Sequence, residues 1–465
     1  MPGKSRVWTM AAAILSLALA IAPLSANALT LKQVVEHAVH TSPKVGVASA
    51  ERRASGYQLK QAKGRLLPKV NLEADVGEQK VNSEFDDLVP GNGLWLDRRQ
   101  IAVNASQILF DGLDIHYDTL KNAARVDAAA LRVLDRSEVV ALEAVEAYID
   151  FRRRNEVLAV AQRNVGRHGE ILGLVRAQHE GGKVPLSEVN QIESQLEAAN
   201  ATVATSRRQV SDTRAEFIEA VGLEPAGLES VAWPQGVPAN AADAITLAAA
   251  NNSSIRAAIA DIDVAAYARN QSRSEFFPQI SLEGTARASE DIGGNVGYDN
   301  ELLGRLVLRW NIFDGHVRLN RTRELTERLN VAKLQTEVRR RSVVETVEKA
   351  WSALAHGGEQ VTALEAQESS ARKVVDSFLQ EYELSRRTLL EVLDAESLLF
   401  NTRVQLIGAR SIRLFAAYQL LASTGTILSS LGIAPPPESN ADVQLREHND
   451  HHAPFDVLLD PLTIE

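Results

Sequence analysis

Between Arg305 and Ile312 polar and apolar positions alternate, with Leu306, Leu308, Trp310 and Ile312 on one face and Arg305, Val307, Arg309 and Asn311 on the other. That period of two predicts a strand with one apolar face and one largely wet face. The strand leads into Phe313-Asp314-Gly315, after which no Gly or Pro occurs until Gly357. Such a run predicts a helix far longer than a globular core needs. The same junction stands earlier in the chain. Val103, Ala105 and Leu109 repeat the apolar face, Gln107 replaces Trp310, and Phe110-Asp111-Gly112 precedes a run without Gly or Pro from Leu113 to Val165.

The two junctions lie 203 residues apart, and the same shift carries Tyr148 onto Trp351, Glu188-Val189 onto Glu391-Val392, Glu193-Ser194 onto Glu396-Ser397 and Gly222 onto Gly425. Upstream the shift is 210, since Leu67-Pro68-Lys69-Val70-Asn71-Leu72-Glu73 matches Phe277-Pro278-Gln279-Ile280-Ser281-Leu282-Glu283. A constant offset over such a span is duplication. The seven extra residues of the first copy fall between its strands, where a loop tip tolerates insertion.

The pattern divides the chain as follows. Residues 1–28 read as a secretory signal: Lys4 and Arg6, an apolar run from Met10 to Ala22, then Ala26-Asn27-Ala28. The first repeat, 29–235, holds short helices, a strand pair over 70–110 and a long helical pair over 112–222. The second, 236–432, repeats this with strands over 279–313, namely 280–287 and 305–312, and helices over 315–431, the last running from Leu389 to about Leu431. After Pro435-Pro436-Pro437 the tail, 433–465, is polar and patternless and is expected to lack structure. In the first long helix Val126, Val133, Val140 and Ala147 recur every seven residues beside Ala123, Ala130 and Ala144, with Ser137 the polar member. This is a coiled-coil-like seam of small residues. A second stripe of Leu120, Ala124, Leu131, Leu134, Leu142 and Val145 predicts a neighbour on each side.

Composition narrows the class. The formal charge of −10, or −12 without Lys4 and Arg6, argues against a nucleic-acid binder. The absence of Cys excludes disulfides and thiol chemistry, and aromatics at 5 % point away from one large globular core. No nucleophile elbow, phosphate loop or metal-ligand spacing is present, so no enzyme and no cofactor is expected. Four half-apolar strands suit a transmembrane barrel, yet closed single-chain barrels begin at about eight strands. Open edges in hydrocarbon are not tolerated, so copies must share one barrel; three would give twelve strands. A soluble coiled-coil protein with a small hairpin domain is the alternative.

The chain resembles the TolC family of outer-membrane efflux proteins through its paired Leu-Pro or Phe-Pro strand entries, its paired Phe-Asp-Gly strand exits, and Tyr382-Glu383-Leu384-Ser385-Arg386-Arg387-Thr388-Leu389-Leu390-Glu391-Val392-Leu393-Asp394-Ala395-Glu396. The resemblance implies a mainly α fold with a small transmembrane β part. A homotrimer would form a shared twelve-stranded β-barrel in outer-membrane lipid and an α-helical barrel across the periplasm of a Gram-negative bacterium. Function would be passive conduction, with a periplasmic adaptor (membrane fusion) protein and an inner-membrane ABC exporter or proton-driven pump as partners. The Arg386 to Glu396 run looks most like the type I protein secretion branch; small-molecule (drug or metal) efflux is the other reading.

The resemblance also assigns site residues. A periplasmic gate would join Tyr382 to Ser187 and Arg387 to Glu188. A lumen constriction would carry Glu391 and Asp394, three apart on one helix face. The adaptor would touch the two turns, Gly181-Gly182-Lys183 and Leu384-Ser385-Arg386. The family often has Val-Gly at both turns, so here Ser385 must turn the chain without glycine's freedom. Other candidates are weaker: His448, His451 and His452 as a metal set on a tail, His37 and His40 on a helix surface, and Glu143, Glu146 and Arg152 to Arg154 on solvated faces.

Overall fold

The computed structural model describes residues 29–82 and 92–444. The signal-peptide reading, most of the first hairpin tip, and His448, His451 and His452 lie outside the described residues. The elements of the first half are α1 (Leu31–Thr41), α2 (Pro43–Gly64), β1 (Lys69–Lys80), β2 (Trp95–Phe110), α3 (Asp114–Glu180) and α4 (Leu186–Val221). The second half repeats the order with α5 (Ala241–Asn251), α6 (Ser253–Ser274), β3 (Gln279–Glu290), β4 (Tyr298–Arg309), α7 (Val317–Glu383) and α8 (Leu389–Ser423), followed by α9 (Ile427–Ser430) and a 3-10 turn at Pro437–Ser439.

Local chemistry explains the junctions. At each strand exit the Asp of Phe-Asp-Gly caps the long helix: the Asp111 carboxylate accepts from the Ile115 N–H at 3.0 Å, and Asp314 from the Arg318 N–H at 3.0 Å. The Gly and its successor are both left-handed, Gly112 with Leu113 and Gly315 with His316. Two such residues redirect the chain from strand into helix. Gly112 is required for a second reason, because a Cβ there would lie 2.6 Å from the Ser274 carbonyl oxygen. α3 and α7 have 67 residues each, about 100 Å at 1.5 Å per residue.

The four strands form one antiparallel sheet in the order β1-β2-β3-β4. Beyond its helix end α2, α3, α6 and α7 lie side by side, and farther along α3 pairs with α4 and α7 with α8. Both stripes of α3 are used: Val126, Val133, Val140, Ala123, Ala130 and Ala144 are buried, and so are Leu120, Ala124, Leu131 and Val145. Ser137 donates its hydroxyl to the Val133 carbonyl at 2.8 Å, which removes the cost of a buried polar group. The main core lies halfway down, where α1, α9 and the interrepeat linker pack on α3, α4 and α8 around Tyr148 and Phe217.

Three expectations are corrected. The last strand is Tyr298–Arg309 and not 305–312, since its partner β3 ends at the Gln279–Arg309 pair, where Pro278 has no N–H to extend the ladder. α8 stops at Ser423, well before Leu431. Gly425 is left-handed, and a Cβ there would lie 2.6 Å from the Asn251 carbonyl oxygen, so the chain turns where α5 approaches. Finally, residues 433–444 are not without structure: Ile433 is buried in the main core, and Ala441 and Val443 pack on the helices.

Candidate functional site

The sheet is the first part of the site. Its register places Val70, Leu72, Val76, Ile101, Val103, Leu282, Leu302, Leu306 and Leu308 on one face, all of them exposed, Leu302 to 89 %. So large an unpartnered apolar surface is a contact surface for lipid or protein. Aromatic side chains flank it, Trp95 and Tyr298 at the hairpin end and Phe110, Phe276, Phe277, Trp310 and Phe313 at the helix end, as in the girdles of membrane barrels. No helix among the described residues is long and apolar enough to cross a membrane.

The opposite face is polar and its charges are paired across strands. Arg98 meets Asp75 at 2.7 Å, Arg287 meets Glu301 at 3.0 Å, and Glu283 receives both Arg305 at 2.9 Å and Arg309 at 2.6 Å. At the helix end Gln107 donates to the Leu66 carbonyl at 2.6 Å, and Trp310 donates to the Phe276 carbonyl at 3.2 Å. The substitution of Gln for Trp in the repeat therefore preserves the bond. β1 and β4 each have one unpaired edge within the chain.

The two helix–helix turns form the second part, at the far ends of the long helices. They share one hydrogen-bond plan: Gly181, Gly182 and Lys183 donate their N–H groups to the carbonyls of Ala177, His179 and Gln178, while Leu384, Ser385 and Arg386 donate to those of Gln380, Tyr382 and Glu381. Gly182 has φ 72° and Ser385 φ 57°. Ser385 thus adopts the left-handed conformation that its repeat mate takes as glycine. All six turn residues are exposed. Behind them Ile171, Val175, Val189, Ile192, Leu389 and Val392 bind the two helical pairs together.

Tyr382 is buried in this cluster, and its hydroxyl donates to Glu188 Oε2 at 2.8 Å. Burial, and then this carboxylate, push its pKa up. The expected partner Ser187 is exposed; as the second residue of α4 it lies a residue short of the carboxylate that reaches the phenol. Arg387 does not pair with Glu188 either. It lies between Glu381 and Glu391, both at 2.9 Å, with its guanidinium over the Phe378 ring at 4.0 Å. Those partners are local, Glu381 before the turn and Glu391 after it, so in this chain the Arg387 link stays within the second repeat.

Glu391 is committed more deeply than expected. It closes a capping box with Thr388, taking the Thr388 N–H at 3.0 Å and hydroxyl at 2.8 Å. The Thr388 N–H, then Arg387 and the Thr388 hydroxyl, bring its pKa down to about 2. Asp394, one turn on, is exposed. Sequence reasoning missed the Arg167–Glu396 pair at 2.7 Å, whose carboxylate side chain is only 6 % exposed and which joins α3 to α8. The shift of 203 had aligned Glu396 with Glu193, but the latter pairs with Arg176, so the repeat carried no signal for the cross-repeat partner. Of the weaker candidates, Glu143 receives Lys44 at 2.7 Å and Arg152 pairs with Glu156 at 3.2 Å, surface links of small value.

Comparison with known proteins adds three findings. The family model described as "Outer membrane efflux protein" matches residues 9–223 and 244–426. Relatives include the outer membrane efflux protein BepC of Brucella suis, 24% identical over 70% of this chain and 72% of that protein. The outer membrane protein TolC of Escherichia coli is 22% identical over 85% and 82%, and the alkaline protease secretion protein AprF of Pseudomonas aeruginosa 22% over 75% and 72%. Among solved structures, the outer membrane protein VceC of Vibrio cholerae has the same fold, with a TM-score of 0.73 at 16% identity over 87% of this chain and 97% of that one.

Proposed function

The chain belongs to the outer membrane efflux protein family, and from that premise we propose that three copies form one duct serving protein secretion. An outer-membrane export channel accounts for the girdled apolar face, the paired polar face and the long helical pairs at once. Repeat symmetry supports assembly of copies. Within the chain, Ala128 and Leu131 of α3 pack on Ala257 and Ala260 of α6. The repeat shifts carry Leu131 onto Leu334 and Ala257 onto Val47, which are exposed by 67% and 59% in the single chain. α7 of one copy would receive α2 of the next as α3 receives α6, and β4 would likewise pair with β1 of the neighbour. Twelve strands close the sheet and remove its edges.

The observation that carries the finer reading is the second turn, where Arg387 and Thr388 both bond Glu391 and, separately, Tyr382 bonds Glu188. This is the run that most resembles the type I secretion branch, and AprF, a protease secretion protein by name, is among the relatives. A periplasmic adaptor docks at the two turns, and an ABC exporter drives the substrate. Tyr382–Glu188 is the resting latch and Asp394 lines the constriction. The test is a deletion strain. Loss of a secreted protein from the medium, with unchanged susceptibility to dyes and detergents, is the expected result. Unchanged secretion with raised susceptibility would instead favour small-molecule efflux with a proton-driven pump, the reading to which the efflux protein BepC points.

A further inference from the structure

Past the main core the chain does not leave the molecule. From buried Ile433 it runs along α3 toward the sheet, between α2 and α6. Glu438 receives Arg53 of α2 at 2.7 Å. Ala441 settles against Ala128 and Leu131 of α3 and Ala257 and Ala260 of α6, and Val443 against Leu59 of α2 and Ala123 and Val126 of α3. The end is anchored by Asp127, whose two carboxylate oxygens accept the N–H groups of Val443 at 2.9 Å and Gln444 at 2.7 Å. Gln444 also donates its side-chain amide to the Tyr267 hydroxyl of α6 at 3.1 Å.

We propose that Pro435–Gln444 is a built-in peptide clamp, held in a groove of α2, α3 and α6 by the Asp127 carboxylate, that locks helices from the two repeats into one rigid unit. The groove's ligand is a short segment with small apolar side chains and two free N–H groups, supplied by the chain itself. Three features set it apart from incidental packing. Asp127 is only 6 % exposed, with both oxygens engaged by backbone N–H groups; a buried carboxylate is tolerated when so satisfied. The contacts reach three helices, two of the first repeat and one of the second. The residue at Asp127's place in the second repeat is Asn330, which is exposed and bonds Glu327 of its own helix at 3.2 Å. The anchor therefore exists in one repeat only.

Hydrogen exchange of the full-length, detergent-extracted protein, followed by mass spectrometry, tests this. Residues 438–444 should be protected in the parent. Asp127→Ala should raise their exchange by about tenfold or more, since two bonds to a charged acceptor are lost, with Asp127→Asn intermediate. Exchange in residues 49–62 of α2 and 255–267 of α6 should rise with it, while the turns at 178–190 and 381–392 stay as they were. A chain ended after Ile433 leaves α3 untouched and should give the same rise in α2 and α6. Unprotected 438–444 in the parent would overturn the clamp. So would unchanged α2 and α6 in the shortened chain, or an equal rise at the turns, which would mean general loosening.

Discussion

The Tyr382 hydroxyl donates to Glu188 Oε2 at 2.8 Å, from the last turn of α7 to the first turn of α4. The bond joins the two repeats at their far ends, beside an apolar cluster that partly shields it from water. A hydrogen bond to a charged acceptor contributes about 1.5–3 kcal/mol. Tyr382→Phe should therefore raise the resting conductance in planar bilayers, and Glu188→Ala should match it. Glu188→Gln, which keeps an acceptor oxygen, should have a smaller effect. Parental conductance in Tyr382→Phe channels that still insert would rule out the latch.

The constriction residues should behave unequally. Glu391 is bound by Thr388 and neutralised by Arg387 at 2.9 Å, and its pKa of about 2 keeps it ionised at any working pH. Asp394 is exposed and forms none of the ion pairs among the described residues. Asp394→Asn should lower cation preference, read as reversal potential in a salt gradient, more than Glu391→Gln does. Arg387→Gln should raise it by freeing the carboxylates of Glu381 and Glu391. Equal effects of Asp394→Asn and Glu391→Gln would show that the Arg387 pair leaves Glu391's field intact.

Much of this was legible in periodicity. The twin junctions, the helix α4 over 186–221 and the paired turns follow from spacing and from where Gly and Pro fall, because both act on the backbone locally. The end of β4 was not legible, since Trp310 and Ile312 continue the alternation and only the length of β3 stops the ladder. The Tyr382 partner was missed by one residue, Ser187 for Glu188, for lack of the relative rotation of α4 and α7. Arg387 was assigned across the repeats, but Glu381 and Glu391 were nearer along its own chain. Residues 433–444 carry no periodicity because their partners, Asp127 above all, lie some 300 residues away in sequence.

Ser385 holds φ 57° without being glycine. A left-handed residue with a Cβ costs roughly 1 kcal/mol over glycine. Ser385→Gly should stabilise the second turn by about that amount, seen as slower local hydrogen exchange over 381–388. Gly182→Ala should destabilise the first turn similarly. The space around its Cβ position is open, so the cost is conformational and not steric. Faster exchange in Ser385→Gly would mean that the serine hydroxyl contributes more than its backbone costs.

The strongest pH dependence should come from Glu138, a carboxyl only 5 % exposed on α3, facing the start of α6. Ser253 Oγ lies 2.7 Å from Glu138 Oε2 and 3.2 Å from Asp135 Oδ1. One hydroxyl has one hydrogen, so it cannot donate to both carboxylates at once; the second contact is a good bond only when a carboxyl is protonated. Burial first of all, with Asp135 beside it, raises the Glu138 pKa from 4.5 to about 7, against the Ser253 bond and the pull of Arg256. The folded state thus holds a proton that the unfolded chain releases at lower pH. The stability tied to that proton is full below about pH 4.5 and is lost as pH rises through about 7. The whole effect is about 3 kcal/mol per copy at 1.4 kcal/mol per unit. The melting temperature of the extracted protein should fall between about pH 4.5 and 7 and level off above that. Glu138→Gln keeps an acceptor for Ser253 and cannot ionise, so it should flatten that fall, matching the parent at low pH and exceeding it above neutrality. An unchanged slope in Glu138→Gln would show that the Glu138 carboxyl does not carry the pH dependence.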